Sequence, residues 1–201
     1  MNILLIILAY LIGSISWGLV IGKLFFNKDI REYGSHNAGG TNAARVLGLP
    51  IGILVIVLDS LKAFIMMSIV NRLNIHIEPY VGLAVCIGHC FPIFAGFKGG
   101  KAVSSSYGYL LGLALYVTKE YMYTFLIPLL IFFISLFLFR MVSLASMIGV
   151  SSAAILILLL VDKKMGLLVF LLAIFVIYRH SANIQRIINK EEPKIFKNTK
   201  H

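Results

Sequence analysis

Charged residues are scarce in this chain. Only 13% of its 201 residues are Asp, Glu, Lys or Arg, whereas 60% are hydrophobic. A soluble domain of this size needs more charge on its surface, so the composition excludes a conventional soluble protein and predicts an all-α polytopic membrane protein. The first apolar segment lacks a charged start and a small-residue cleavage site, so we expect a retained helix rather than a removed signal peptide.

Cysteine is also scarce, and no activated nucleophile is evident. Cys86 and Cys90 are the two cysteines, and their spacing of four places them on one face of a predicted helix inside an apolar run. This excludes a disulfide framework, leaves the redox compartment open and favours a packing role. No serine lies in a nucleophile elbow with an acid to orient a histidine, so we expect no covalent enzyme intermediate.

Acidic residues are the rarer sign of charge. The chain has 18 Lys and Arg against 8 Asp and Glu, a formal net charge of +10. Such an excess suits anionic lipid, nucleic acid or a phosphorylated substrate, and in a membrane chain nucleic acid has the least support of the three.

Long apolar runs predict about seven transmembrane helices in a single domain over residues 1–201. The runs are 3–26, 51–70, 80–97, 102–117, 121–139, 141–161 and 165–178. The fourth and seventh runs are short for a full span, so we expect them to tilt little, to thin the bilayer locally or to be partly re-entrant.

The distribution of Lys and Arg predicts the orientation. These residues are concentrated in the first, third and fifth connectors and in the tail, which share a side if every run spans the membrane. The positive-inside rule then places the N-terminus outside and residues 190–201 in the cytoplasm as a basic tail. Glu191 and Glu192 in that tail are expected to be solvated near the lipid surface.

The third connector predicts a phosphate-binding turn. Gly96, Gly99 and Gly100 allow backbone N–H groups to approach an anion, Lys98 and Lys101 add positive charge, and a helix N-terminus follows. The alternative is a polar connector whose lysines lie among lipid headgroups.

The first connector is the richest in polar residues. Asn37, Thr41 and Asn42 supply neutral hydrogen-bonding groups around Arg45, whose planar guanidinium suits a phosphate. Alternatively, Thr41 or Asn42 is the N-cap of a short helix that contains Arg45.

Two charged residues lie inside the second run. Asp59 and Lys62 are three residues apart, and a lone charge in a membrane is costly, so we expect the two to neutralise each other. A structural pair and a place in a proton path both remain open.

Histidines follow at two later positions. His89 precedes Pro92 by three residues and serves either to hydrogen-bond the carbonyl that proline frees or in binding and catalysis. Ser143 opens the sixth run, and His180 and Asn183 close the seventh on one face if the helix continues.

Together these elements resemble the bacterial membrane-integral acyl-phosphate:glycerol-3-phosphate acyltransferase family over essentially the whole chain. The matching elements are Gly13-Ser-Ile, Gly34-Ser-x-Asn-x-Gly-x-Thr-Asn-x-x-Arg45, Leu58-Asp-x-x-Lys62, Gly88-His-x-x-Pro92, Phe97-Lys-Gly-Gly-Lys101, Val142-Ser-Leu-Ala-Ser146 and Tyr178-Arg-His-x-x-Asn-Ile184.

The resemblance implies a seven-helix enzyme of the bacterial cell membrane with its active site facing the cytoplasm. It implies transfer of a fatty acyl group from acyl phosphate to the sn-1 hydroxyl of glycerol 3-phosphate, without metal, acyl-CoA or acyl carrier protein. Implied catalytic residues are Arg45, Lys101, Ser143 and His180. Implied substrate-binding residues are Ser35, Asn37, Thr41, Asn42, His89, Lys98, Gly99, Gly100 and Asn183.

The chain departs from the family pattern at four positions. Ser16 stands where the family usually has proline, and His36, Ala63 and Ala102 stand where it usually has glycine. Ala102 matters most, because a positive φ there would cost about 1–2 kcal/mol in turn geometry. A low-activity paralogue is therefore one alternative.

Two other function classes compete with this assignment. An anion or phosphate transporter also uses glycine-rich helix ends, but no duplicated halves are evident here and the polar groups gather at one face. An acyl-CoA-dependent acyltransferase would need a His-x-x-x-x-Asp motif, which the sequence lacks. A nucleotide P-loop is excluded because Ala95 and Ala102 replace its glycine and its hydroxyl residue.

Overall fold

A computed structural model describes residues 2–195, which contain helices and turns but no strand. Within that range the α-helices are α1 Asn2–Gly13, α2 Trp17–Phe26, α3 Gly40–Leu47, α4 Leu49–Arg72, α5 Glu78–Cys90, α6 Val103–Gly112, α7 Ile127–Phe139, α8 Val142–Leu160, α9 Lys163–Arg179 and α10 Ser181–Ile188. Short 3₁₀ turns cover Ile30–Glu32 and Ile93–Ala95, and π-helical segments cover Leu113–Thr118 and Met122–Leu126.

The chain forms two compact units, Met1–Lys119 and Glu120–His201. In the first unit α1 packs on α5, and α4 packs on α3, α5 and α6. The contact between α1 and α5 needs glycine on both helices, because a Cβ on Gly13 or Gly88 would collide with backbone of the facing segment. Close backbone approach of this kind is how helices associate inside a membrane, where lipid removes the usual hydrophobic drive.

The first apolar run is a broken helix. We predicted one segment over 3–26, whereas the structure has α1 and α2 joined by Ser14–Ser16 at a bend of 43°. The carbonyls of Gly13 and Ile15 at this break accept hydrogen bonds from the Lys62 ammonium group. The break therefore depends on a residue far along the chain.

The second unit stacks α7, α8 and α9, and α9 then bends by 61° into α10. The bend lies at His180, which follows the last residue of α9 and precedes the first of α10. The predicted shared face for His180 and Asn183 depended on a continuous helix, and the structure does not meet that condition because His180 lies at the bend.

Four helical stretches are long and apolar enough to cross a membrane, and up to six if each bent pair forms one span. They agree with the predicted membrane protein, while the count of about seven stays a prediction. Within residues 2–195 the run 102–117 is not one of these stretches, because α6 and the π-helical segment that follows it together cover only 103–118, which is shorter than the 18 residues of the shortest of the four. The single domain over 1–201 also stays a prediction.

Candidate functional site

The first connector enters α3, which carries Arg45 as predicted. Its N-cap is Gly39, so neither Thr41 nor Asn42 fills that position, and the alternative assignment of either residue as the cap is wrong. The Gly39 N–H instead donates to Oδ1 of Asn37 at 3.0 Å. Asn37 thus sets the entry of the chain into α3, and Arg45 lies exposed in the last turn of that helix.

Asn42 holds the connector together from within. Its side chain is 1% exposed, and its Oδ1 accepts the Ser35 N–H at 2.8 Å. The two hydrogens of its Nδ2 are shared among the carbonyls of Ile30, Tyr33 and Asn37. A buried amide satisfied in this way fixes a loop. The structure gives Asn42 an architectural role, and its contact with substrate stays a prediction.

Two hydrogen bonds join the first and third connectors. Asn37 Nδ2 donates to the Gly99 carbonyl at 3.5 Å, and Arg31 Nη1 donates to the Ala95 carbonyl at 2.8 Å. The helix that carries Arg45 and the turn that carries Lys101 therefore belong to one joined surface of the first unit. The sequence predicted that these connectors share a side of the membrane, and the structure adds their direct contact.

Arg31 and Asp29 were missed at the sequence level. The Arg31 guanidinium forms a two-pronged pair with Asp29, at 3.0 Å to Oδ1 and 2.7 Å to Oδ2. This pairing is the main reason that the pKa of Asp29 lies well below its usual range and that the pKa of Arg31 is raised. An Asp two residues before an Arg in a connector is the signal that could have indicated this brace.

The glycine turn is shaped by His89. The Gly100 N–H donates to the His89 carbonyl at 3.0 Å, so this N–H is used within the protein. A Cβ on Gly99 would collide with that carbonyl, and a Cβ on Gly100 would collide with the imidazole Nε2. Close packing thus explains these glycines, while Gly96 needs its freedom for a φ of +63°. Lys98 is exposed and Lys101 half-buried.

Two departures from the family pattern fall at strained positions. Ala102 has a φ of +60° and His36 a φ of +55°, both in the left-handed region that glycine adopts without a steric penalty. The suspected positive φ at Ala102 is therefore present. Ala63, the third replaced glycine, is buried within α4 and has no such backbone.

We expect Ala102→Gly to stabilise the protein. Replacing an alanine in the left-handed region should raise the free energy of unfolding by about 1–2 kcal/mol. Glycine also gives the unfolded chain more conformational freedom, which reduces this gain by about 0.4–1 kcal/mol. Thermal unfolding in detergent measures the result as a higher midpoint. The matched control is Ala63→Gly, which should lower the midpoint because glycine inside a helix costs about 1 kcal/mol. A lower midpoint for Ala102→Gly would contradict the strain.

Asp59, Lys62 and His89 form one buried cluster in the first unit. Lys62 Nζ lies 2.9 Å from Asp59 Oδ1, so the predicted neutralising pair is confirmed. His89 Nδ1 lies 3.3 Å from Lys62 Nζ and 3.5 Å from Asp59 Oδ1. All three side chains are nearly inaccessible.

In the second unit Glu192 gathers two predicted site residues. Ser143 Oγ and Asn183 Nδ2 both donate to Oε1 of Glu192, at 2.6 and 2.7 Å, and Arg186 Nε donates to Oε2 at 2.9 Å. Glu192 is buried, so its expected position in a solvated tail is wrong. The pair of acids Glu191 and Glu192 in an otherwise basic tail, soon after Asn183, was the available signal.

His180 is also buried in the second unit. Its Nδ1 lies 2.8 Å from the Val176 carbonyl, which can only accept, so Nδ1 carries a proton. In the neutral ring Nε2 is therefore an acceptor. The described residues thus bring Ser143 and Asn183 together through Glu192, and the roles of these residues and of His180 toward substrate stay predictions.

The Glu192 cluster predicts a pH-dependent stability. Burial alone would raise the pKa of Glu192, but hydrogen bonds from Ser143, Asn183 and Arg186 outweigh it and hold the pKa below the ordinary 4.5. Because the pKa of Glu192 is lower in the folded protein, the ionised carboxylate contributes its full stabilisation above pH 4.5. This contribution is lost as the pH falls from 4.5 through the lowered pKa.

Glu192→Gln is therefore expected to lower the midpoint of thermal unfolding at pH 7, since hydrogen bonds to a charged group contribute about 1.5–3 kcal/mol each. Its midpoint should also fall less than that of the natural chain when the pH drops below 4.5. Glu191→Gln, at the exposed neighbour, is the control and should change neither. Equal pH dependence of both variants would contradict the assignment.

Comparison with known proteins identifies the family to which the chain belongs. A family model described as glycerol-3-phosphate acyltransferase matches residues 3–190. A glycerol-3-phosphate acyltransferase of Listeria monocytogenes is 48% identical over 197 residues, covering 96% of each chain. The crystal structure of PlsY (YgiH), an integral membrane glycerol 3-phosphate acyltransferase, is similar with a TM-score of 0.86 in its glycerol 3-phosphate form, at 35% identity over 96% of this chain and 94% of that chain. Its lysophosphatidic acid form gives a TM-score of 0.81 at 34% identity, over 96% and 94% of the two chains.

Proposed function

The chain belongs to the glycerol-3-phosphate acyltransferase family, and from this premise we propose that it transfers a fatty acyl group from acyl phosphate to the sn-1 hydroxyl of glycerol 3-phosphate. The products are lysophosphatidic acid and inorganic phosphate. PlsY, at 35% identity, was crystallised in a glycerol 3-phosphate form and in a lysophosphatidic acid form, which supports this acceptor and this product.

The observation that carries the proposal is the joined surface of the first unit. The helix of Arg45 and the turn of Lys98 and Lys101 are tied through Asn37 and Gly99, so three cations belong to connectors that contact each other. A reaction between two phosphate-bearing substrates needs such a concentration of positive charge. In this scheme Lys101 with the Gly99–Gly100 backbone binds the departing phosphate, and Arg45 binds glycerol 3-phosphate.

The remaining assignments follow the family pattern. Ser143, His180 and Asn183 are assigned to glycerol 3-phosphate, and Ser35, Thr41 and the other polar connector residues to substrate binding. Acyl phosphate is already activated, so the protein needs mainly to align the hydroxyl with the carbonyl and to stabilise the oxyanion and the leaving phosphate.

Transfer is direct in this scheme, and the proton of the hydroxyl passes to a substrate phosphate oxygen. A phosphate whose second pKa is about 6 accepts a proton at neutral pH. His89 is poorly placed as the base, because its Nδ1 faces Lys62 and Asp59 and its ring packs against Gly100.

One experiment with two arms tests the proposal. Purified protein receives radiolabelled acyl phosphate with glycerol 3-phosphate in the first arm and without it in the second, and both are quenched rapidly. We expect labelled lysophosphatidic acid in the first arm and no denaturation-stable label on the protein in the second. Absence of product would reject the acyltransferase and favour the transporter alternative, and stoichiometric label on the protein would reject direct transfer.

The proposed orientation has the N-terminus outside and Lys101, Arg140 and the tail in the cytoplasm, at the bacterial cell membrane. The concentration of Lys and Arg in alternate connectors supports it. We expect single cysteines at 101 and 140 to react with a membrane-impermeant maleimide only after the cells are opened, whereas a cysteine at 72 should react in intact cells. Labelling of position 101 from outside would overturn the orientation and the cytoplasmic site with it.

A further inference from the structure

The Lys62 ammonium group is fully engaged inside the first unit. Lys62 is 5% exposed within α4 and has three hydrogens to donate. The Gly13 carbonyl at 3.0 Å and the Ile15 carbonyl at 2.8 Å accept two of them, and His89 Nδ1 lies 3.3 Å from the nitrogen. Asp59 Oδ1, at 2.9 Å, forms an ion pair with the same ammonium group. The ammonium group therefore joins α4 to the break between α1 and α2.

The two carbonyls lie where α1 ends. The last carbonyls of a helix have no intrahelical donor, and a cation near this end satisfies them and interacts favourably with the helix dipole. Lys62 supplies both the donors and the charge to Gly13 and Ile15. Its position is fixed from the side of α1 as well as by Asp59.

His89 links this buried pair to the glycine turn. At one edge of the ring, Nδ1 lies 3.3 Å from Lys62 Nζ and 3.5 Å from Asp59 Oδ1. At the other edge, Nε2 occupies the space where a Cβ of Gly100 would lie, and the His89 carbonyl accepts the Gly100 N–H. Any shift of the ring must therefore move Gly100.

A purely stabilising role explains this arrangement poorly. Burying an ammonium and a carboxylate costs each ion its hydration, and apolar residues of similar size often pack there at no loss of stability. A retained buried pair is more readily explained by the geometry that it imposes.

We propose that Lys62 is a positioning residue for the reaction, which through His89 holds the Gly99–Gly100 turn in the form that binds the phosphate of the acyl donor. This inference rests on the proposed function. The positioning role concerns one of the two substrates. The glycine turn is assigned to acyl phosphate, whereas Arg45, on α3, is assigned to glycerol 3-phosphate. Loss of Lys62 should therefore weaken the binding of acyl phosphate and leave the binding of glycerol 3-phosphate unchanged.

The test is steady-state kinetics of purified Lys62→Met, with each substrate varied while the other is saturating. We expect the KM for acyl phosphate to rise at least tenfold and the KM for glycerol 3-phosphate to stay within twofold. Lys28→Met is the matched control, since it removes a lysine charge from the same unit at an exposed position, and it should leave both constants unchanged.

The outcomes separate this inference from its premise. An inactive natural chain refutes the proposed function, whereas an active natural chain with an unchanged KM for acyl phosphate in Lys62→Met refutes only the positioning role. An equal rise in both KM values also refutes it, because general loosening does not select a substrate. If Lys62→Met does not fold, the double variant Asp59→Asn/Lys62→Met replaces it, because it leaves no unpaired buried charge. The KM for acyl phosphate alone should again rise, and an unchanged value or an equal rise in both KM values refutes the positioning role.

Discussion

Lys101→Ala is expected to lower kcat/KM for acyl phosphate by about 30- to 160-fold, which corresponds to about 2–3 kcal/mol of transition-state stabilisation. In the proposed scheme the leaving phosphate gains negative charge as the acyl bond breaks, and Lys101 is the half-buried cation that follows the glycine turn. A charge-assisted contact that strengthens in the transition state affects kcat, so most of the loss should appear there.

Saturation with either substrate should therefore not restore the rate of Lys101→Ala. Lys28→Ala provides the comparison, because it removes an exposed lysine from the same unit and should retain normal turnover. If Lys101→Ala lost only affinity and kept its kcat, the lysine would attract the donor without stabilising the leaving group.

Arg45→Ala is expected to lower kcat/KM for glycerol 3-phosphate by a similar factor, about 30- to 160-fold. Arg45 is exposed in the last turn of α3, so its loss should leave the fold intact. Arg45→Lys should recover only part of the activity, because an ammonium group cannot reproduce the two parallel hydrogen bonds of a guanidinium.

Arg72 offers a matched control for this variant. It is an exposed arginine at the far end of α4, in the same unit, and Arg72→Ala should behave as the natural chain. Near-normal activity of Arg45→Ala at limiting glycerol 3-phosphate would mean that the first connector is architectural and that the acceptor binds elsewhere.

Much of this architecture can be predicted from local sequence. The scarcity of charge predicts the membrane helices, and the spacing of Asp59 and Lys62 predicts their pairing. The pairing depends on residues within about one helical turn, the range over which side chains on a helix are neighbours.

The features that escaped prediction depend on distant residues. The break after α1 is stabilised by Lys62, 47 residues beyond Ile15 in the chain, and Ser143 meets Glu192 across 49 residues. No local pattern encodes such pairs. The positive φ of Ala102 was suspected only because the resemblance placed a glycine there, and the structure supplies the value.

The Glu192 contacts also bear on biosynthesis. A polypeptide is made from its N-terminus, and its N-terminal parts fold first. Ser143 and Asn183 receive their shared carboxylate only after Glu192 has been made, and the Ile195 N–H adds a hydrogen bond to the Arg140 carbonyl at 2.8 Å. The nascent second unit therefore stays incomplete until Glu192 and Ile195 have left the ribosome, and a chain that stops before residue 192 would present membrane proteases with an unfinished unit.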